Sequence, residues 1–136
     1  MSLENVNLFR KGLAAWNEGN LKAIVEMCHP EVEWTFSDRL PDATGNIRGK
    51  AAVRDFFATF TEDWSEIRMA AEQIFDAGDD VVADVRFVAK GREGIEVSMR
   101  FAHVWTAQNG QIVRFRGYPT VEEALAAVSG AVRLQE

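Results

Sequence analysis

His103 is the residue of this chain best suited to acid–base chemistry. It sits in Phe101-Ala102-His103-Val104-Trp105, where strand alternation puts Phe101, His103 and Trp105 on one face. An imidazole titrates near neutral pH and can serve as acid, base or hydrogen-bond donor. The competing reading is a core histidine satisfied by a backbone or carboxylate partner, because buried polar groups are paired whatever their role. Asp84 is the second catalytic candidate. With Arg86 it shares one strand face of Val81-Val82-Ala83-Asp84-Val85-Arg86-Phe87-Val88. The two form either an exposed charge ladder with Glu96, Ser98 and Arg100 or a pair inside, beside His103.

Hairpin register decides between these, since a one-residue slip swaps faces. If Phe87 pairs with Val97, Asp84 points away from His103. If Val88 pairs with Met99, Asp84 lies across from His103 and can orient its imidazole. The first register keeps apolar residues together and is the one expected.

Aromatic side chains are the candidate ligand-binding set: Trp16, Trp34, Phe36, Phe57, Phe101, Trp105 and Tyr118. Core packing explains most aromatic residues in any domain. Trp34 and Trp105 are the expected pocket walls because they lie on strands, and Tyr118 could offer its hydroxyl to a ligand or to a backbone carbonyl. Glu122 and Glu123 open the last helix, where carboxylates suit the positive end of the helix dipole. His29, before Pro30, reads as a helix-end residue. The two histidines are not at metal-binding spacing, so neither a metal nor another cofactor is expected. Cys28 falls in an apolar helical run and reads as a small buried hydrophobe rather than a nucleophile.

The elements that must position these residues follow from periodicity. Val6, Phe9, Leu13 and Trp16 recur at helical steps, predicting a helix from Leu3 to Glu18. Gly19 stops it, Asn20 caps a second helix over Leu21–Cys28, and Pro30 ends that one. Val32–Phe36 alternates as a short strand, and Ser37–Gly49 is a long irregular loop suited to a lid. Val53, Phe56, Phe57 and Phe60 stripe a third helix from Lys50 to Trp64. Strands follow at Ile67–Ala77, from Val81, and at Val97–Trp105. The Asn109-Gly110 turn leads into Gln111–Tyr118, then a short terminal helix begins at Thr120. Helices early and strands late give an α+β domain in which a curved antiparallel sheet wraps three N-terminal helices, forming a cone with a pocket.

Length bounds the chain to a single domain over residues 1–136. Its net charge of −6, from 15 basic and 21 acidic residues, argues against a nucleic-acid partner. Arg86, Arg100, Arg114 and Arg116 read as paired strand charges or pocket donors. A lone cysteine suggests a reducing compartment. Neither a signal segment nor a membrane-spanning apolar run is visible, so a cytoplasmic protein with no membrane association is expected.

Several segments carry a resemblance. They are Ala15-Trp16-Asn17-Glu18-Gly19-Asn20-Leu21, His29-Pro30-Glu31-Val32-Glu33-Trp34, Arg48-Gly49-Lys50-Ala51-Ala52-Val53, Asn109-Gly110-Gln111-Ile112-Val113-Arg114 and the run from Tyr118 to Ala127. In that order and spacing the chain resembles the SnoaL-like domains of the nuclear transport factor 2-like superfamily. The resemblance implies a fold shared by polyketide cyclases, ketosteroid isomerases, epoxide hydrolases, dehydratases and non-catalytic modules, so fold does not decide function. It puts Gly12, Phe36 and His103 where the ketosteroid isomerases have a tyrosine and two acids. A phenyl ring cannot replace an ionised base, which argues against that reaction. SnoaL-like cyclases carry an aspartate where this chain has Thr120. The epoxide hydrolases' Arg-x-Asp pair appears here as Asp84-Val85-Arg86, in reverse order. The resemblance also implies a homodimer through the outer sheet face, with Arg100, Ala102, Val104 and Arg114.

Three functions fit these residues. One is a domain binding a hydrophobic small molecule in an aromatic pocket. Another is an isomerase-, cyclase- or hydrolase-type enzyme using His103, with or without Asp84, for proton transfer. The third is a dimerisation module without ligand.

Overall fold

The computed structural model describes residues 3–36, 46–62 and 64–134, with the backbone alone for Phe36. Most of the expected lid, residues 37–45, lies outside the described residues. The chain runs α1 (Leu3–Asn17), α2 (Leu21–Glu26), β1 (Cys28–Phe36), β2 (Ile47–Arg48), α3 (Lys50–Glu62), β3 (Trp64–Ala77), β4 (Asp80–Gly91), β5 (Glu96–Gln108), β6 (Gln111–Tyr118), α4 (Val121–Ala126) and β7 (Val132–Arg133). One curved, unclosed sheet carries the strands in the order β2-β1-β6-β5-β4-β3-β7. The fold is α+β, as the sequence implies.

Helix α1 buries Val6, Phe9, Gly12 and Ala15, one residue per turn, while Leu13 and Trp16 flank this line half-buried. Gly19 leaves the helix at φ 76°, and the Asn20 side chain accepts from the Ala23 N–H at 3.3 Å to cap α2. Helix α2 is shorter than its pattern suggests: Cys28 and Pro30 belong to β1. Pro30 is tolerated there because the pairing of β1 with β6 is irregular between Cys28 and Glu33, where no ladder hydrogen bond needs its missing N–H. This β1–β6 pairing is parallel; the other pairings are antiparallel. The two short strands β2 and β7 were not expected from sequence, being only two residues each.

Strand alternation gives the sheet two distinct faces. The inner face packs on α1, α2 and α3 through a core that includes Val6, Phe9, Trp34, Phe57, Val85, Trp105 and Phe115. The outer face carries a second cluster, where Val121 and Leu125 of α4, with Val128 just beyond it, cover Val82, Ala102 and Val104. Ala102 and Val104 are fully buried there. This corrects the expected dimer face: two of its four residues are already covered by the chain's own terminal helix.

Candidate functional site

The β4–β5 register matches neither expected alternative. Phe87 pairs with Met99, Val85 with Phe101, Asp84 with Ala102 and Ala83 with His103. The turn explains it: Gly91 accepts from Gly94 N at 2.9 Å and donates to Ile95 O at 2.8 Å, which centres the hairpin on Glu93, where the favoured pairing would centre it on Arg92. That pairing is displaced by two residues, which preserves the faces. Apolar residues stay together along the inner ladder, and small Ala83 faces the imidazole.

Asp84 therefore stands on the outer face, away from His103. Arg100 Nε lies 3.6 Å from its Oδ1. Glu72 completes the network, its Oε1 3.1 Å from Arg86 Nε and its Oε2 2.5 Å from Arg100 Nη2. Burial pushes the Asp84 carboxyl up, against the pull of Arg100. The two guanidiniums hold Glu72 below the usual carboxylate range. The alternative in which Asp84 orients His103 as a catalytic pair is not formed, since the sheet lies between them. Tyr118 is likewise on the outer face, paired with Ala102 and packed in the α4 cluster.

On the inner face His103 is 4% exposed. Its ring lies edge-on to Phe101 and to Phe115, each 4.7 Å away between centroids. The Trp105 indole N–H donates to His103 Nδ1 at 3.3 Å. Burial pushes the imidazole pKa down to about 3. The aromatic wall continues outward from there. Phe115 stacks on Trp34 at 4.3 Å, Trp34 meets Phe57 at 5.4 Å, and Phe57 meets Trp16 at 5.6 Å. On the other side Phe101 meets Phe87 at 6.1 Å, and Phe87 meets Phe60 at 6.1 Å. Of the expected ligand-binding residues, Trp34, Phe57, Phe101 and Trp105 gather with His103, and Trp16 joins through Phe57. Phe36 follows the same alternation at backbone level: it pairs with Gly117, which pairs with His103. Gly117 thus contributes no side chain beside the imidazole.

Phe115 and Phe87 are wall residues that the sequence reading did not select. Phe115 was hidden by a register shift between Thr106 and Ala107, which puts it across from Trp105. Phe87 was visible as part of the β4 alternation.

A cleft of about 360 Å³ opens elsewhere, between the α1–α2 turn, the end of α3 and the start of β3. It is lined by Trp16, Asn17, Leu21, Thr61, Ile67 and Arg68 among others, and reaches neither His103 nor Trp105. Its walls are of mixed charge and hold no histidine. The inner face carries the more specific chemistry, because a polar ring sits there among aromatic ones.

Cys28 is fully buried, its Sγ 3.3 Å from Ile24 O, and burial pushes its thiol up to about 11. That is the inert small hydrophobe its sequence context suggests. Among the described residues no group of three or more His, Cys, Asp or Glu side chains could hold a metal ion. Among them, too, no helix is long and apolar enough to cross a membrane.

Known structures repeat this architecture. An NTF2-like protein of unknown function from Burkholderia pseudomallei is 22% identical, with TM-score 0.76, over 96% of this chain and all (100%) of that one. TerC, co-crystallised with polyporic acid, is 21% identical, with TM-score 0.75, over 92% of this chain and 97% of its own. An NTF2-like protein from Burkholderia thailandensis is 27% identical, with TM-score 0.73, over 90% of this chain and 95% of that one. No curated protein sequence matches this chain significantly. The model of the SnoaL-like domain matches residues 9–115, which run from within α1 to within β6 and include every inner-face aromatic described above. The chain belongs to the family of SnoaL-like domains.

Proposed function

We propose that this chain binds a hydrophobic small molecule against the aromatic inner face of its sheet, with His103 as the polar contact. The supporting observation is the surroundings of that imidazole. Its Nδ1 is taken by Trp105, its neighbours are Phe101 and Phe115, and among the described residues no group accepts from Nε2. A polar edge in an apolar wall is the arrangement that orients a bound small molecule. TerC, a chain of the same fold, was co-crystallised with polyporic acid, which agrees with an organic ligand for the fold.

The enzymatic reading narrows accordingly. With its pKa pushed down to about 3 by burial, His103 is a weak base near neutral pH. Asp84 cannot assist it from the outer face. The geometry favours binding and polarisation of a ligand over proton abstraction from it.

Quenching of tryptophan fluorescence by a panel of hydrophobic carbonyl compounds tests the reading. Saturable binding that weakens in Phe101→Ala supports it, because Phe101 is a half-buried wall residue. Binding that is insensitive to both Phe101→Ala and His103→Gln would place the ligand elsewhere.

A further inference from the structure

An indole N–H only donates, so the atom it meets must offer a lone pair. In this chain that atom is His103 Nδ1, 3.3 Å from Trp105 Nε1. A neutral imidazole with its lone pair on Nδ1 carries its proton on Nε2. The usual protein device works the other way, with an Nδ1–H held by a carbonyl or carboxylate. Here the tautomer is set by an aromatic donor two residues along the same strand face.

Trp105 is itself held in place. It is 7% exposed and edge-on to Phe9 at 5.3 Å. Its six-membered ring fills the space a side chain at position 12 would need: a Cβ on Gly12 would meet Cη2 and Cζ3 at 3.0 Å. Glycine inside a helix is costly, roughly 1 kcal/mol relative to alanine, so its presence in α1 calls for a packing reason. The seat for the indole is that reason.

We propose that Trp105, seated against Gly12, is a positioning residue that fixes His103 as an Nε2–H donor, so that the inner face selects apolar ligands presenting a hydrogen-bond acceptor such as a carbonyl oxygen. This rests on the inner face being the binding site. In this tautomer Nε2 has no lone pair and that of Nδ1 is engaged. His103 therefore polarises an oxygen by donation and takes no proton from the ligand. A site built to hydrogen-bond one group discriminates against analogues lacking it far better than an apolar pocket does. The ring of half-buried Phe101 beside the imidazole matches a flat carbonyl compound.

Long-range proton–nitrogen correlation spectra of histidine-labelled protein, with no ligand present, test the positioning role. The expected result is a single Nε2–H tautomer for His103 in the wild type and a mixed or Nδ1–H population in Trp105→Phe. An Nδ1–H tautomer in the wild type, or an unchanged Nε2–H tautomer in Trp105→Phe, overturns it. Should Trp105→Phe fail to fold, the wild-type spectrum still decides, and Gly12→Ala displaces the indole without deleting it.

Tetralone and tetralin then test the selectivity, being alike in shape and differing in the carbonyl. Wild type is expected to prefer tetralone by about tenfold, the worth of one hydrogen bond in a dry site, and Trp105→Phe to lose that preference. Equal binding of the two by wild type overturns the selectivity and leaves inner-face binding standing. If neither binds, the inner-face site itself fails, while the spectra still judge Trp105 independently.

Discussion

Gly12 on α1 and Trp105 on β5 are a matched pair: the indole ring occupies the space that a methyl group at position 12 would take, with contacts of 3.0 Å from the would-be Cβ. Helix and sheet approach so closely here because one partner lacks a side chain. Phe9, Trp34 and Phe115 surround the same indole, so it has little room to give.

Gly12→Ala should therefore destabilise the fold by about 1 kcal/mol, the cost of overpacking less the gain in helix propensity. In a Trp105→Phe background the smaller ring relieves the contact, and Gly12→Ala should become neutral or stabilising by up to about 1 kcal/mol. Urea unfolding of the four proteins gives the sign in each background. Equal effects in both would disconnect the two residues.

His103 makes stability depend on pH in a defined direction. Its folded pKa, about 3, lies below the ordinary value of 6.5 expected when unfolded. Below 6.5 the unfolded chain takes up a proton that the native ring refuses, so stability is lost as pH falls from 6.5 towards 3 and is fully present above. The slope is about 1.4 kcal/mol per pH unit, or roughly 2 kcal/mol between pH 6.5 and 5. His103→Gln should flatten that part of the profile, as read by urea unfolding across this range. A wild-type profile already flat there would mean that the ring is solvated.

Asp84 lies across the sheet from the imidazole and answers to Arg100 and Glu72 instead. Asp84→Asn should leave ligand affinity unchanged within about twofold, as expected for a pair open to solvent on one side. A large loss of affinity would show that charge on the outer face is felt on the inner one.

Cys28 should resist thiol reagents at mildly alkaline pH in the folded protein and react fully once unfolded. Its burial and its pKa of about 11 both withhold the thiolate. Rapid labelling of native protein would contradict the buried placement of Cys28 at the start of β1.

Much of this arrangement can be read from the sequence. The helical steps of Val6 and Phe9 place α1, and Asn109-Gly110 places the β5–β6 hairpin, with both turn residues at positive φ. His103 and Trp105 share a face by alternation alone. What alternation cannot supply is register. Continued without interruption from the Gln108–Gln111 pair, the hairpin would set Trp105 opposite Arg114; the irregularity after Thr106 sets it opposite Phe115. A single extra residue thus turns a charged wall into an aromatic one, and no local residue pattern announces it. The β4–β5 register eluded sequence for a similar reason, since several alignments of alternating apolar residues satisfy the same face rule. Tyr118 lies on the outer face because it pairs with Ala102, one step from the inward Gly117–His103 pair, and there it packs half-buried in the α4 cluster.

A ligand on the inner face must lie against His103, and a bound ligand's contacts report this most directly. Intermolecular nuclear Overhauser effects should be measured between a saturating hydrophobic ketone and the ring protons of the protein. Contacts are expected to Phe101 and the His103 ring, with His103 Nε2 shifting on binding. Contacts confined to Trp16, Leu21 and Ile67 in the cleft between α1, α3 and β3, with His103 unmoved, would contradict it.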